Sequence, residues 1–292
     1  MGAILNLLAQ KKILISDGAW GTMLQERGLT PDDCPEEWNV SHAEDVKAVA
    51  AAYAQAGSDL ILTNTFGGSA MKLAKKGYED RVEEFNFAGA RNSLEGAPGA
   101  LIAGSIGPTG EFLQPLGAAT PDEMKAVFSQ QISAMLKAGV HAICIETMTA
   151  IDEAVCAIEA ARALDPQIDI LATFTFDSTP AGYKTMMGVD PQQVAEALPS
   201  AGANIIGANC GNGIVQMIEI TNELRKHTDL PILIHANAGL PELVDGKTVF
   251  RQSPEAMAAH AKQLIDAGAG IIGGCCGTTP AHIEAMKAAV ED

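Results

Sequence analysis

Four alanine–glycine pairs punctuate the chain, and they constrain its architecture more tightly than any other feature. Ala56-Gly57, Ala138-Gly139, Ala201-Gly202 and Ala267-Gly268 each close a helical stretch and stand just ahead of a β-rich run. Glycine there supplies the left-handed backbone with which a helix C-terminus turns. The pairs lie 82, 63 and 66 residues apart. If they precede the second, fourth, sixth and eighth strands, each interval holds two β/α units. The runs themselves fall at residues 13–16, 60–65, 101–105, 142–147, 170–176, 205–210, 232–236 and 270–274. Most are continuously apolar, the pattern of parallel strands buried on both faces. Eight strands alternating with helices indicate a single-domain (β/α)8 TIM barrel, an α/β fold spanning residues 1–292. A doubly wound sheet fits less well, because Asp17-Gly-Ala-Trp-Gly-Thr22 lacks the glycine spacing of a phosphate loop.

Helix signals fill the intervals. Alanine-rich stretches at 44–55, 121–137, 152–163, 191–198, 214–226, 254–266 and 280–290 are expected to be helical. Ser41 with Glu44, and Thr120 with Glu123, have capping-box spacing, and Pro121, Pro191, Pro254 and Pro280 suit a first turn.

Composition narrows the partners. Lys and Arg number 19 against 36 Asp and Glu, a formal net charge of −17. Nucleic acid and anionic membrane reward clustered cations, so neither is expected as a partner. Hydrophobic residues make up 47% of the chain, enough for a large core, at a mean hydropathy of only +0.12. No stretch approaches the roughly 20 apolar residues of a membrane span. Residues 1–12 lack the apolar run and cleavage site of a secretory signal, so a cytoplasmic location is expected. In that setting the six cysteines are read as reduced thiols with metal or catalytic work.

The active site of such a barrel forms at the C-terminal ends of its strands. Those ends carry Asp17, Asn64, Ser105, Glu146, Asp177, Asn209 with Cys210, His235 with Asn237, and Cys275 with Cys276. Loop polarity accounts for any one of these residues, but less well for the cysteines. Adjacent cysteines rarely bond to each other, and on a regular strand they point to opposite faces. Gly273, Gly274 and Gly277 are expected to bend the backbone so that both sulfurs turn to the barrel mouth. Cys210, Cys275 and Cys276 then suit zinc with a fourth position open, the catalytic arrangement. Cys34, Cys144 and Cys156 stand alone and are read as small buried hydrophobes. His235 is the competing ligand; binding through it would close the site as a structural Cys3His centre.

The chain resembles the zinc-dependent homocysteine S-methyltransferases. The resemblance rests on Asp17-Gly-Ala-Trp-Gly-Thr-Met23, Thr63-Asn-Thr-Phe-Gly67, Gly104-Ser-Ile-Gly-Pro-Thr-Gly110, Ile145-Glu-Thr147, Asn209-Cys210 and Gly273-Gly-Cys-Cys-Gly-Thr-Thr-Pro280. Glu37-Trp-Asn39 with Asp45, and Leu62-Thr-Asn-Thr-Phe66, are most like the homocysteine-binding barrel of cobalamin-dependent methionine synthases. The resemblance implies that Cys210, Cys275 and Cys276 hold Zn2+ and that homocysteine sulfur takes the fourth position. It also implies that Asp17 and Glu146 receive the substrate ammonium, that the backbone at Gly18 and Ala19 receives its carboxylate, and that Asn64 lies in the substrate site. The expected activity is methylation of homocysteine to methionine.

Three methyl donors are known across that family: a methylcorrinoid protein, betaine, and sulfonium compounds such as S-methylmethionine. Two cage tyrosines of the betaine enzymes fall here on Gly67 and Thr147, and aromatics are only 4% of the chain. Trp38 and Tyr183 remain as donor-side aromatics, with His235 and Asn237 beside them as polar candidates. The expected donor is methylcobalamin on a separate protein or domain, since eight β/α units use up the 292 residues. The alternatives are a small onium donor, or a zinc-binding interaction protein without catalysis. Exposed alanine-rich helices permit a homo-oligomer.

Overall fold

All eight β-rich runs are strands of one parallel sheet. They are β1 (Leu14–Ile15), β2 (Leu60–Leu62), β3 (Leu101–Ile106), β4 (Ala142–Met148), β5 (Asp169–Phe174), β6 (Ile205–Gly213), β7 (Ile232–Asn237) and β8 (Ala269–Gly274). The computed structural model describes residues 2–244 and 247–291. Strand order is β1-β8-β7-β6-β5-β4-β3-β2, and a parallel bridge between Ser16 and Leu60 joins the two ends into a (β/α)8 barrel. The four punctuating glycines adopt φ of 94°, 98°, 111° and 111°. Among the described residues, no helix is long and apolar enough to cross a membrane.

The helices follow their start signals with instructive exceptions. Thr120 and Glu123 form the expected capping box ahead of Pro121–Ala138. Ser41 does not cap Ala43–Gln55; it ends the short helix Trp38–Ser41, and its hydroxyl bonds Glu37 and His42. The stretch 254–266 is two helices, Pro254–Ala258 and Ala261–Asp266. The helices Ala3–Lys11, Trp20–Gln25, Ala70–Ala74 and Val82–Gly96, and two β-hairpins in the loops after β5 and β7, also lie outside the expected set. The buried face of Val82–Gly96 carries Asn86, Asn92 and Ser93, which blurs the apolar periodicity that reveals a helix.

Two cores meet at the sheet. The larger packs helices against the outside of the barrel. The smaller fills the lumen with Leu14, Leu60, Leu62, Ala103, Ala142, Cys144, Leu171, Ile205, Leu233 and Ile271. Ile4, on the N-terminal helix, joins the lumen cluster and corks its lower end. Asp169 fixes that helix by accepting the amide hydrogens of Ile4 (2.8 Å) and Leu5 (3.1 Å). Side chains alternate along a strand, so the residues two steps above the lumen cluster also point inward. On the odd strands these are Ser16, Ser105, Thr173 and His235, all buried. The lumen thus changes from apolar to polar within one layer, and the site stands on that layer.

Candidate metal and substrate site

Two local backbone features bring three sulfurs together. Cys210 follows the inward-facing Asn209 and holds φ at 60°, left-handed for a residue with a side chain, followed by Gly211 at 71°. Cys275 and Cys276 lie past the end of β8, in a turn closed by the Thr278 amide donating to the Cys275 carbonyl at 3.1 Å. Strand alternation therefore no longer separates their side chains. Gly277, at φ 80°, supplies the left-handed residue of this turn. Gly273 and Gly274 do not bend the chain as expected; both remain in β8 and serve close approach. A Cβ on Gly274 would fall 2.2 Å from Thr278 Oγ1, and one on Gly273 would fall 2.9 Å from His235 Cδ2.

The sulfurs of Cys210, Cys275 and Cys276 all lie within 4.8 Å of one another, with Cys210 and Cys276 at 3.9 Å. A tetrahedron of thiolates on zinc has sulfurs about 3.8 Å apart, from bonds of ~2.3 Å, so the donor set fits that ion. All three residues are half-buried, whereas Cys34, Cys144 and Cys156 are buried. The trio yields its first proton readily. Hydrogen bonds from Cys275 and Cys276 pull Cys210 below the ordinary thiol range, and the same sharing with Cys210 pushes Cys276 above it.

The two carboxylates behave differently. Asp17 is fully buried, and its oxygens are already engaged: Oδ2 accepts from the Leu62 amide and Trp20 Nε1, both at 2.8 Å, and Oδ1 from Ser16 at 3.2 Å. Burial pushes its pKa up to about 6. Glu146 is also buried and pushed up to about 7, chiefly by desolvation. Its Oε1 accepts a short bond from Ser105, but Oε2 has only a long one, 3.4 Å, from Asn209. Glu146 therefore keeps acceptor capacity that Asp17 has spent.

Other expected site residues are placed elsewhere or committed to structure. Asn64 donates to the Pro35 carbonyl (2.7 Å) and to Asn39 Oδ1 (2.9 Å), tying the β1 and β2 loops together. The Trp38 ring is buried and stacks on His42, with centroids 4.1 Å apart. Tyr183 sits on the hairpin after β5, its hydroxyl donating to Glu219 at 2.6 Å on the outer helix Ile214–Arg225. The Trp38 ring is thus taken up by packing, and the Tyr183 hydroxyl is turned to the outer helix. His235 and Asn237 are buried on β7, and Asn237 helps to lower the pKa of Cys210.

Supporting residues complete the site. Asn209 holds Thr147 and Thr173 through Oδ1, at 2.8 and 2.7 Å, and so positions the end of β4. Thr278 joins both ends of the chain: its hydroxyl accepts the Ala19 amide at 3.1 Å and donates to the Cys275 carbonyl at 2.7 Å. Tyr53 donates to the Ala19 carbonyl at 2.8 Å. Thr278 lies in the GCCGTTP segment, but as a threonine past a strand end it carries no signal of this role. Tyr53 lies inside a helix and carries none.

The chain resembles known proteins along nearly its whole length. Residues 14–290 match the family model described as homocysteine S-methyltransferase. Methionine synthases of Mycobacterium tuberculosis (strain ATCC 25618 / H37Rv) and Mycobacterium leprae (strain TN) are each 30% identical over 305 residues, covering 98% of this chain and 25% of the relative. The chain thus spans a quarter of the length of these relatives. Among solved structures, the oxidised form of the homocysteine methyltransferase MmuM from Escherichia coli has a TM-score of 0.78 at 25% identity, over 97% of both chains. Its metallated form has a TM-score of 0.79 at 24% identity, over 97% of this chain and 98% of that one, a likeness of fold.

Proposed function

The chain belongs to the homocysteine S-methyltransferase family, and we propose that it binds zinc through Cys210, Cys275 and Cys276 and methylates homocysteine to methionine. The observation that carries this reading is the convergence of three sulfurs within 4.8 Å, on the same barrel mouth as a carboxylate with acceptor capacity to spare. When bound, the zinc would keep the substrate sulfur as thiolate at neutral pH, where a free thiol of pKa ~8.5 is mostly protonated.

The chain's own groups do the positioning on which an in-line displacement depends. Asn237 favours the thiolate form of Cys210. Glu146, held by Ser105 and Asn209, receives the ammonium. The turn at Gly18 and Ala19, braced by Thr278 and Tyr53, receives the carboxylate. Asp17 shapes that turn from below and adds negative charge.

The donor is proposed to be methylcobalamin carried by a separate protein or domain. A side chain at Gly67 would place its Cβ 2.8 Å from Glu36 Oε1, which accepts the Gly67 amide, so a cage aromatic here would have to displace Glu36. Instead Phe66, Phe112, Leu116, Met186, Leu240 and Leu243 stand exposed on four loops at the C-terminal end of the barrel. Such a rim suits a macromolecular donor. Methionine formation should require the carried corrinoid; turnover with free betaine or S-methylmethionine would refute this choice. Zinc X-ray absorption should gain a fourth sulfur when homocysteine is added. Unchanged coordination would favour a non-catalytic zinc-binding protein.

Glu146→Gln is expected to raise KM for homocysteine about tenfold to a hundredfold with little change in kcat, as a lost ground-state ion pair should. The sign of the pH effect follows from the raised pKa. Below about 7 the Glu146 carboxyl is protonated and must ionise to meet the ammonium. Wild-type affinity should therefore fall by a further factor of about ten per pH unit there, beyond the proton release of the thiol. The Gln variant should lack that extra limb in calorimetric titrations, and retention of it would clear Glu146 of the role.

A further inference from the structure

The polar layer of the lumen has a regular logic that one residue breaks. Ser16 donates to Asp17, Ser105 to Glu146, and Thr173 to Asn209. Each of these odd-strand residues thus spends its hydroxyl on a group at the mouth. His235 is the fourth member, two residues above the lumen residue Leu233 and only 2% exposed. Its Nε2 has no partner. Two other buried side-chain atoms share that condition among the described residues, Gln131 Oε1 and Asn237 Oδ1. Gln131 lies on an outer helix, where its Nε2 is engaged with Thr65 and Asn86. Asn237 ends the same strand as His235, so two unsatisfied atoms face the site from β7.

The position of the ring can be read from its neighbours. His235 pairs in register with Asn209 on β6 and Gly273 on β8. A Cβ on Gly273 would lie 2.9 Å from His235 Cδ2, 2.7 Å from the Asp17 carbonyl oxygen and 2.9 Å from Ser16 Cβ. The Cδ2 side of the imidazole therefore lies over the bare backbone of β8, beside Ser16 and the Asp17 carbonyl at the start of the Asp17-Gly18-Ala19 turn. Gly273 is what leaves this path open. Burial keeps the ring neutral, its pKa pushed down to about 4, so one ring nitrogen carries a hydrogen and the other does not. An unpaired polar atom in so dry a place awaits a ligand group.

We infer that His235 is a substrate-binding residue whose Nε2–H donates to the carboxylate of homocysteine at the Gly18–Ala19 turn. The inference rests on the homocysteine reading above and adds the residue that selects for an α-carboxylate. Among the described residues, the other polar side chain of the layer beside that turn, Ser16, is committed to Asp17, and the Ala19 amide to Thr278, so His235 would add a side-chain donor to the backbone of the turn. A hydrogen bond from a neutral ring to a carboxylate is charge-assisted and directional, as recognition of one substrate group requires.

The test uses zinc-loaded protein, two variants and three thiols, with binding measured by calorimetry. The thiols are homocysteine, 4-mercaptobutanoate (no amino group) and 3-aminopropanethiol (no carboxylate). His235→Leu should weaken homocysteine and 4-mercaptobutanoate by about tenfold to a hundredfold, as loss of a charge-assisted hydrogen bond does. It should leave 3-aminopropanethiol within about twofold. His235→Gln, which restores an N–H at similar reach, should recover part of the loss. Zinc content and melting temperature, unchanged in the Gln variant, separate recognition from folding. Equal losses for all three thiols, a loss confined to 3-aminopropanethiol, or no loss would overturn the inference and leave the homocysteine reading standing. Failure of the wild-type chain to bind homocysteine would overturn both.

Discussion

Cys210→Ser is expected to abolish methionine formation, by about a thousandfold or more, while leaving the barrel folded. The sulfur of Cys210 touches Cys276 at 3.9 Å, and the residue is only half-buried. Serine preserves the size of the side chain and tolerates the same φ of 60° about as well as cysteine. Its hydroxyl is a much poorer zinc ligand than thiolate. What the substitution removes is therefore a ligand and not packing. Metal analysis should find zinc lost, and zinc should raise the melting temperature of the wild type but not of the variant, because only a bound ligand shifts unfolding. Cys144→Ser makes the opposite case. Cys144 is fully buried in the apolar lumen cluster, so a hydroxyl there should cost about 1–3 kcal/mol in stability while zinc content stays normal. If the two variants exchanged these behaviours, the ligand assignment would fail.

That Cys210, Cys275 and Cys276 gather at one mouth while Cys144 is buried follows from the sequence, and the reason is local. A helix that ends on glycine, or a pair of cysteines beyond a β-run, states its geometry within a few residues. The four left-handed glycines at 57, 139, 202 and 268 thus mark the strands that follow them, the three intervals between them hold one more strand each, and β1 rests on its own apolar run. Helix Val82–Gly96 was hidden because its buried face makes polar contacts: Asn86 to the Gly68 carbonyl, Asn92 to the Asn39 carbonyl and Ser93 to the Leu62 carbonyl. Those partners are far away in sequence, and no periodicity encodes them. Trp38 and Tyr183 show the same limit at the site. An aromatic residue on a loop is equally able to line a mouth, stack on His42 or reach Glu219, and only the fold chooses among them. The two cores also explain why strand-end polarity alone misjudges roles. It places Asp17, Asn64, Glu146 and His235 together, but not which of them has already spent its hydrogen bonds.

Asp17 is where that distinction has the largest expected effect on stability. Asp17→Ala should destabilise the fold by about 2–5 kcal/mol, because the Leu62 amide and Trp20 Nε1–H would both be left without an acceptor in a buried place. Asp17→Asn should not. The amide oxygen can accept from both of those donors, and its NH2 can donate to Ser16, whose hydroxyl turns to accept. Charge is lost while the network survives. The pH dependence then separates the variants further. Burial raises the Asp17 pKa to about 6, above its unfolded value near 3.9, so between those pH values the folded chain binds more protons than the unfolded one. Stability from this group is thus complete below about pH 4 and declines as pH rises through about 6. Asp17→Asn removes that decline, and its stability should exceed that of the wild type increasingly toward neutral pH. Denaturant melts of the metal-free proteins across this range supply the measurement. Homocysteine binding to the zinc-loaded Asn variant gives the complementary result: a modest loss, smaller than that of Glu146→Gln, would match a carboxylate that acts on the ammonium by charge from beneath the turn. A loss as large as that of Glu146→Gln would mean that Asp17 gives up its internal partners and meets the substrate directly.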